Sequence, residues 1–244
     1  MSTVVTKSKR QFRALSAAAL AAAMTLVLGP RLVAASCTPG RSPHDNVARH
    51  DGLSRGVAAL DGINAYLGQY DPYYSAQNGA GTNASVMLVK FFSGGTNWAQ
   101  LGWIKSKPNG VSVTRQTFVE FFVEGVQNTF RYFTAPAPPN TTKYEIYYEA
   151  PNTWTFYQDN TLLTQFSSSW APGNFEAFGE THDLVDQFPG DSSHRVQFGS
   201  VTYYTGSTYT PHTSNGDAFP SEYTDFKITN PNPGQYFVWD AKCP

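Results

Sequence analysis

Glu176 and Glu180 stand four residues apart in Phe175-Glu176-Ala177-Phe178-Gly179-Glu180-Thr181-His182. Successive side chains of a strand alternate between faces, so Glu176, Phe178, Glu180 and His182 share one face. Two carboxylates, an aromatic ring and an imidazole do not pack as an ordinary core, so this face is wet or lines a site. A carboxylate beside an aromatic ring can have its pKa raised and act as a general base or acid. Glu176, held next to Phe178, fits that role. Glu176 and Glu180 lie about 13 Å apart along a strand at roughly 3.3 Å per residue. A retaining glycosidase needs its two carboxyls about 5 Å apart, so this pair alone does not make one. Upstream, Trp98-Ala99-Gln100-Leu101-Gly102-Trp103 puts Trp98, Gln100 and Gly102 on one strand face and Leu101 and Trp103 on the other.

The elements that position these residues are short. Apolar or alternating runs occupy residues 56–70, 84–92, 98–105, 111–125, 127–134, 143–149, 153–158, 161–166, 175–182, 194–205 and 234–239. Turn residues punctuate them: Asp71-Pro72, Ser93-Gly94-Gly95, Pro108-Asn109-Gly110 and Asp159-Asn160. The last of these predicts a hairpin. No mature segment sustains a 3.6-residue apolar period over a helix length. Many short strands at this spacing predict an all-β, antiparallel, concanavalin-like (jelly-roll) β-sandwich. No internal repeat or linker divides it, so residues 56–244 read as one domain behind an irregular N-terminal arm, residues 37–55.

Composition agrees. Of 244 residues, 14% are charged and 15% aromatic, which excludes a coiled coil and wholesale disorder. The first 36 residues read as a signal peptide. Lys7, Lys9, Arg10 and Arg13 precede an apolar stretch from Ala14 to Gly29, and small residues follow at Ala34-Ala35-Ser36. Its removal also takes Arg31 and leaves 12 basic side chains against 18 acidic, a balance opposed to nucleic-acid binding. The chain is expected outside the cell, free of the membrane after processing, and monomeric. The two cysteines, Cys37 and Cys243, bracket the mature chain. They form one disulfide in an oxidising compartment, or Cys37 is a lipidated cleavage point.

Three segments resemble the glutamic peptidases, in both their eqolisin and neprosin branches. They are Gln100-Leu101-Gly102-Trp103, Glu176-Ala177-Phe178-Gly179-Glu180 and Phe198-Gly199-Ser200-Val201-Thr202-Tyr203. Gln100 matches the catalytic glutamine of eqolisins, Gly102-Trp103 the neprosin form, Glu176 the catalytic glutamate and Glu180 the second glutamate. The run from Gly56-Val57-Ala58-Ala59 to Tyr70-Asp71-Pro72 is similar to the strand entering the neprosin domain. The resemblance spans about residues 55–205. Ala177 stands where the family has Trp, Phe118-Val119-Glu120-Phe121-Phe122 replaces the eqolisin Trp-Tyr-Glu-Trp strand, and no Asn-Trp-Ala-Gly occurs near the start.

The resemblance implies a polypeptide substrate, catalysis by Gln100 and Glu176, and substrate contacts from Trp98, Trp103, Phe178 and Glu180. It implies no metal and no cofactor. The dyad requires Gln100 and Glu176 to converge across adjacent strands in one cleft. Other constellations are weaker. Thr181-His182-Asp183 could join Ser85 or Ser193 in a triad, but no Gly-x-Ser-x-Gly elbow occurs. His182, Asp183, Asp186 and Asp191 could hold a divalent ion or form a solvated turn. The alternative class is a non-catalytic carbohydrate- or cell-surface-binding module, with Tyr70, Tyr73, Tyr74, Trp98, Trp154 and Trp170 as stacking platforms.

Overall fold

The computed structural model describes residues 37–41, 47–76, 81–107, 110, 112–213, 218–219 and 223–244. The expected signal peptide, residues 1–36, lies outside the described residues. Among the described residues no helix is long and apolar enough to cross a membrane. The strands are β1 (Arg49–Gly56), β2 (Leu60–Gly68), β3 (Thr82–Phe92), β4 (Gly95–Ser106), β5 (Thr114–Val123), β6 (Gln127–Thr134), β7 (Thr141–Glu149), β8 (Thr153–Gln158), β9 (Thr161–Ser167), β10 (Asn174–Thr181), β11 (Val196–Thr205), β12 (Thr208–Pro211), β13 (Ala218–Phe219), β14 (Phe226–Asn232) and β15 (Gln235–Asp240).

They form two antiparallel sheets. The front sheet runs β13-β1-β10-β3-β4-β5-β6, and the back sheet β14-β15-β11-β2-β7-β8-β9, with β12 beside β11. This is the expected jelly-roll sandwich. The Asp159-Asn160 hairpin joins β8 to β9 with φ of 47° and 64°, the two left-handed residues that a type I′ turn requires.

The N-terminal arm is less irregular than the sequence suggests. β1 begins at Arg49 and pairs along its whole length with β10. Its signal is faint because only Leu53 faces the core as an apolar residue, while His50, Gly52 and Ser54 face a surface that is itself polar. β14 is hidden for a similar reason, by Asn230-Pro231-Asn232 at its end.

Aromatic rings fill the space between the sheets. Phe121 stacks on Phe166 at 4.7 Å, and Phe198 on Tyr236 at 4.5 Å. Each such ring removes some 150–250 Å² from water, which lets a chain with few long aliphatic runs hold a core. Trp103 belongs to this layer. It is fully buried on the inner face of β4, and its indole N–H donates to Gly68 O at 2.9 Å on β2. The expectation that it contacts substrate is therefore corrected, for the alternation that turns Gln100 to the outer face turns Trp103 inward. Trp154, Tyr70 and Tyr74, considered as stacking platforms, are also buried.

The chain ends are tied together. Cys37 is bonded to Cys243, so its sulfur cannot carry a lipid thioether. Arg41 forms a buried ion pair with Asp240 and donates to Leu184 O at 2.7 Å, clamping the loop that follows β10.

Candidate active site

On the outer face of the front sheet, register aligns Ser54, Glu176, Met87, Gln100, Glu120 and Phe130 in one row across β1, β10, β3, β4, β5 and β6. The inner faces of the same strands hold them rigid. Phe175 and Ala177 flank Glu176 and are buried in the core, where Phe175 stacks on Tyr203 at 5.2 Å. Tyr236 of the back sheet donates its hydroxyl to Ala177 O. Ala99 and Leu101 bury Gln100's strand in the same way.

From Glu176 to Phe130 the row lines a cavity of about 590 Å³. Gln100, Glu176, Trp98, Phe178 and Glu180, all expected at the site, are brought together there, and only Trp103 is left out. Gln100 and Glu176 are not on adjacent strands, however. β3 runs between them with Met87 at their level. Two strand spacings put their Cα atoms about 10 Å apart, a gap spanned by side chains plus a substrate group, not by direct contact.

Each of the two has its own anchor. Gln100 Nε2 donates to Ser85 Oγ at 2.8 Å, Ser85 Oγ donates to Asn83 Oδ1 at 3.2 Å, and Asn83 Nδ2 donates to Glu180 Oε2 at 2.6 Å. Glu180 Oε1 then meets His182 Nε2 at 3.2 Å. Ser54 Oγ donates to Glu176 Oε1 at 3.2 Å from the other side. Ser85 and His182 are thus both committed elsewhere, and no Ser–His couple forms between them.

The carboxyls differ in charge state. Burial pushes Glu176 above the ordinary glutamate value and the charge of Glu180 adds to this, while the Ser54 hydrogen bond opposes it. Burial would raise Glu180 too, but the hydrogen bond and charge of His182, with Asn83, outweigh it and hold Glu180 low. Burial would lower His182, but Glu180 holds it raised. The result is a neutral-prone base beside a carboxylate–imidazole pair whose two members hold each other charged.

Glu120, directly opposite Gln100 on β5, is the residue that sequence reasoning passed over. Burial pushes its pKa up to about 7, aided by Glu180 and opposed by a Trp98 hydrogen bond and the charge of His182. Its signal was the alternation in Phe118-Val119-Glu120-Phe121-Phe122, which puts it outward between two outward aromatic rings.

The loop acids have structural duties. Asp186 Oδ1 accepts from Ser75 N at 2.6 Å, Asp183 Oδ1 from Val185 N at 3.1 Å, and Asp191 Oδ2 from the Tyr70 hydroxyl at 2.7 Å. Asp183 and Asp186 close one turn, in which Asp186 N donates to Asp183 O at 3.1 Å, and Asp191 holds the next one by accepting from Ser193 N at 2.7 Å. Among the described residues no cluster of His, Cys, Asp and Glu has the arrangement of a metal site.

No protein-family model matches the sequence, and no curated protein is significantly similar to it. Solved structures are similar. A scytalido-glutamic peptidase structure with a peptide-based transition state analog matches 80% of this chain and 98% of its own, with a TM-score of 0.57 at 10% identity. SCP-B, a member of the eqolisin family of peptidases in complex with the tripeptide Ala-Ile-His, matches with the same coverage, a TM-score of 0.53 and 8% identity. The sandwich is the glutamic-peptidase fold. At these identities the likeness carries the architecture and no residue role.

Proposed function

We propose that this chain is an exported endopeptidase of the glutamic type, active in acid, in which Glu176 and Gln100 act on either side of a peptide bond. The observation that carries the reading is the placement of both side chains in one row of one cavity, with Met87 between their strands. In this reading a peptide carbonyl and a water occupy the gap between them.

In this reading ionised Glu176 takes a proton from the water as its oxygen attacks the scissile carbonyl carbon. An amide nitrogen carries two N–H groups, so the bond from Gln100 to Ser85 leaves one for the developing oxyanion. Protonated Glu176 then gives its proton to the leaving amine as the C–N bond breaks. The raised pKa of Glu176 makes it a stronger base than an exposed glutamate and puts the working range in weak acid. The basic and apolar leader supports export, and the Cys37–Cys243 disulfide suits an oxidising compartment.

The test is incubation of the mature protein with an unfolded protein between pH 2 and 7, alongside Glu176→Gln and Gln100→Ala. Cleavage is expected from the parent, with Glu176→Gln inactive and Gln100→Ala slowed about 10²–10³-fold, the usual cost of one oxyanion donor. Cleavage that survives both substitutions overturns the mechanism. The binding-module reading draws on Phe130 and Tyr132, 44% and 37% exposed beside Trp98. Retention on a polysaccharide column without any cleavage decides for it.

A further inference from the structure

We infer that Glu120, Trp98, Phe130 and Tyr132 form a cation subsite, which takes a lysine or arginine side chain of a polypeptide lying beside Gln100. The inference rests on the peptide-cleft reading above for its substrate, while the subsite itself rests on geometry.

Three carboxylates face this cavity, and only Glu180 already has a charged partner among the described residues. Glu180 is paired with His182 and bonded by Asn83, and Glu176 accepts from Ser54. Glu120 receives only the Trp98 indole, and among the described residues no cation pairs with it. Aromatic faces surround it. Phe130 is its register partner on β6, and Tyr132 lies near enough to feel its charge. Phe130 and Tyr132 stack at 6.3 Å, and Trp98 stacks on Phe122 at 3.8 Å, so both walls are braced.

A carboxylate among aromatic faces is the chemistry that recognises an alkylammonium or guanidinium. The rings attract the cation through their negative faces and cover its methylene stem, and the carboxylate neutralises it. β6 is the last strand of the front sheet, so the subsite opens at the sheet's margin, where a long side chain can enter.

Glu120 holds its proton in acid and loses it near neutrality. The titratable groups that line the cavity with it are Glu176 and Glu180 of β10, His182 beyond β10, His50 of β1 and Tyr132 of β6, and of these the charges of Glu180 and His182 shift it. Glu180 and His182 offset one another. The subsite is therefore apolar in acid and cation-selective as Glu120 ionises, and a bound cation draws its pKa down.

The experiment is calorimetric titration of the mature protein with N-acetyl-arginine amide and N-acetyl-norleucine amide at pH 5 and pH 8. The arginine amide is expected to bind about tenfold tighter at pH 8 than at pH 5, with the norleucine amide unchanged. Glu120→Gln removes the arginine preference and keeps norleucine binding, with folding checked by circular dichroism. Phe130→Ala, at an exposed edge position, weakens arginine binding several-fold. Equal affinity for the two amides at pH 8, or an arginine preference that survives Glu120→Gln, overturns the subsite. These titrations need no turnover. Cation binding without proteolysis therefore leaves the subsite standing and removes only the peptidase reading, and proteolysis without cation preference does the reverse.

Discussion

Gln100 and Ser85 are joined across β4 and β3 by a hydrogen bond of 2.8 Å, and that bond aims the amide. Ser85 sits one row away from Gln100, opposite Gly102, so the amide leans along the sheet and not straight out of it. Ser85→Ala removes the acceptor and leaves the amide free to rotate. A net hydrogen bond of about 1 kcal/mol corresponds to a five- to tenfold loss of kcat, with KM little changed. Steady-state kinetics on a peptide checks this, and a fall equal to that of Gln100→Ala shows that Ser85 does more than aim the amide.

Gly102 makes that bond geometrically feasible. A Cβ at Gly102 falls against Ala84 O and lies 2.6 Å from Ser85 Cα, so β3 and β4 approach closely only because no side chain intervenes. The obstruction is backbone, which cannot swing aside. Gly102→Ala is expected to destabilise the fold by about 2–3 kcal/mol and to displace Ser85 from Gln100. Urea unfolding measures the first effect as a lower midpoint at unchanged slope, and kcat reports the second.

Glu120 gives the fold an inverse pH response. Its folded pKa of about 7 lies above the ordinary glutamate value of roughly 4.3 in an unfolded chain. Between these values the folded state keeps a proton that the unfolded chain has lost, so its contribution to stability falls as pH rises. Glu120→Gln removes that slope. The parent's loss of unfolding free energy between pH 4.5 and 7.5 is expected to shrink by about 1–2 kcal/mol, after discount for partial solvent access. Thermal unfolding at the two pH values tests it, and identical slopes in parent and variant reject the assignment.

The Glu180–His182 pair responds in the ordinary direction. His182 is raised, so its contribution is complete below roughly pH 6.5 and disappears as pH rises through its higher folded value. Glu180 is lowered, so its contribution is complete above roughly pH 4.3 and disappears as pH falls through its lower folded value. The pair therefore stabilises most in weak acid, the range proposed for activity. His182→Gln should cost about 1 kcal/mol near pH 5.5 and little above pH 9, read as the difference in Tm between parent and variant.

Local alternation made much of this site legible. The Glu176-to-His182 segment declares its outward face in seven residues, and the structure puts Glu176, Phe178 and Glu180 on it together. Gln100 is legible through its resemblance and shares the row of Glu176. What the sequence concealed is register. Nothing local says that Glu120 lies opposite Gln100, or that β3 separates Gln100 from Glu176, because pairing of distant strands fixes both. β1 is obscured by its polar outer face, and Trp103 enters the expected site through the resemblance of Gly102-Trp103 to the neprosin form, although alternation turns it to the core.

The terminal clasp controls the loop that carries His182. Cys37 closes a separation of 206 residues with Cys243, and the Arg41 that follows donates to Leu184 O and pairs with buried Asp240. Phe188 N also donates to Asp240 Oδ2 at 3.1 Å, so one carboxylate serves both the arm and the loop. Cutting the disulfide by Cys37→Ser with Cys243→Ser releases a loop closure worth roughly 5 kcal/mol in the chain-entropy account. Arg41→Met leaves the covalent link but strands Asp240 as a buried charge without its guanidinium, a loss of about 3–5 kcal/mol. The two changes are expected to differ in place as well as size. The disulfide variant lowers global stability, whereas Arg41→Met first raises amide exchange between residues 183 and 191, where the loop loses its clamp. Exchange in Arg41→Met that rises uniformly over both sheets shows that the arm has no special hold on the site loop.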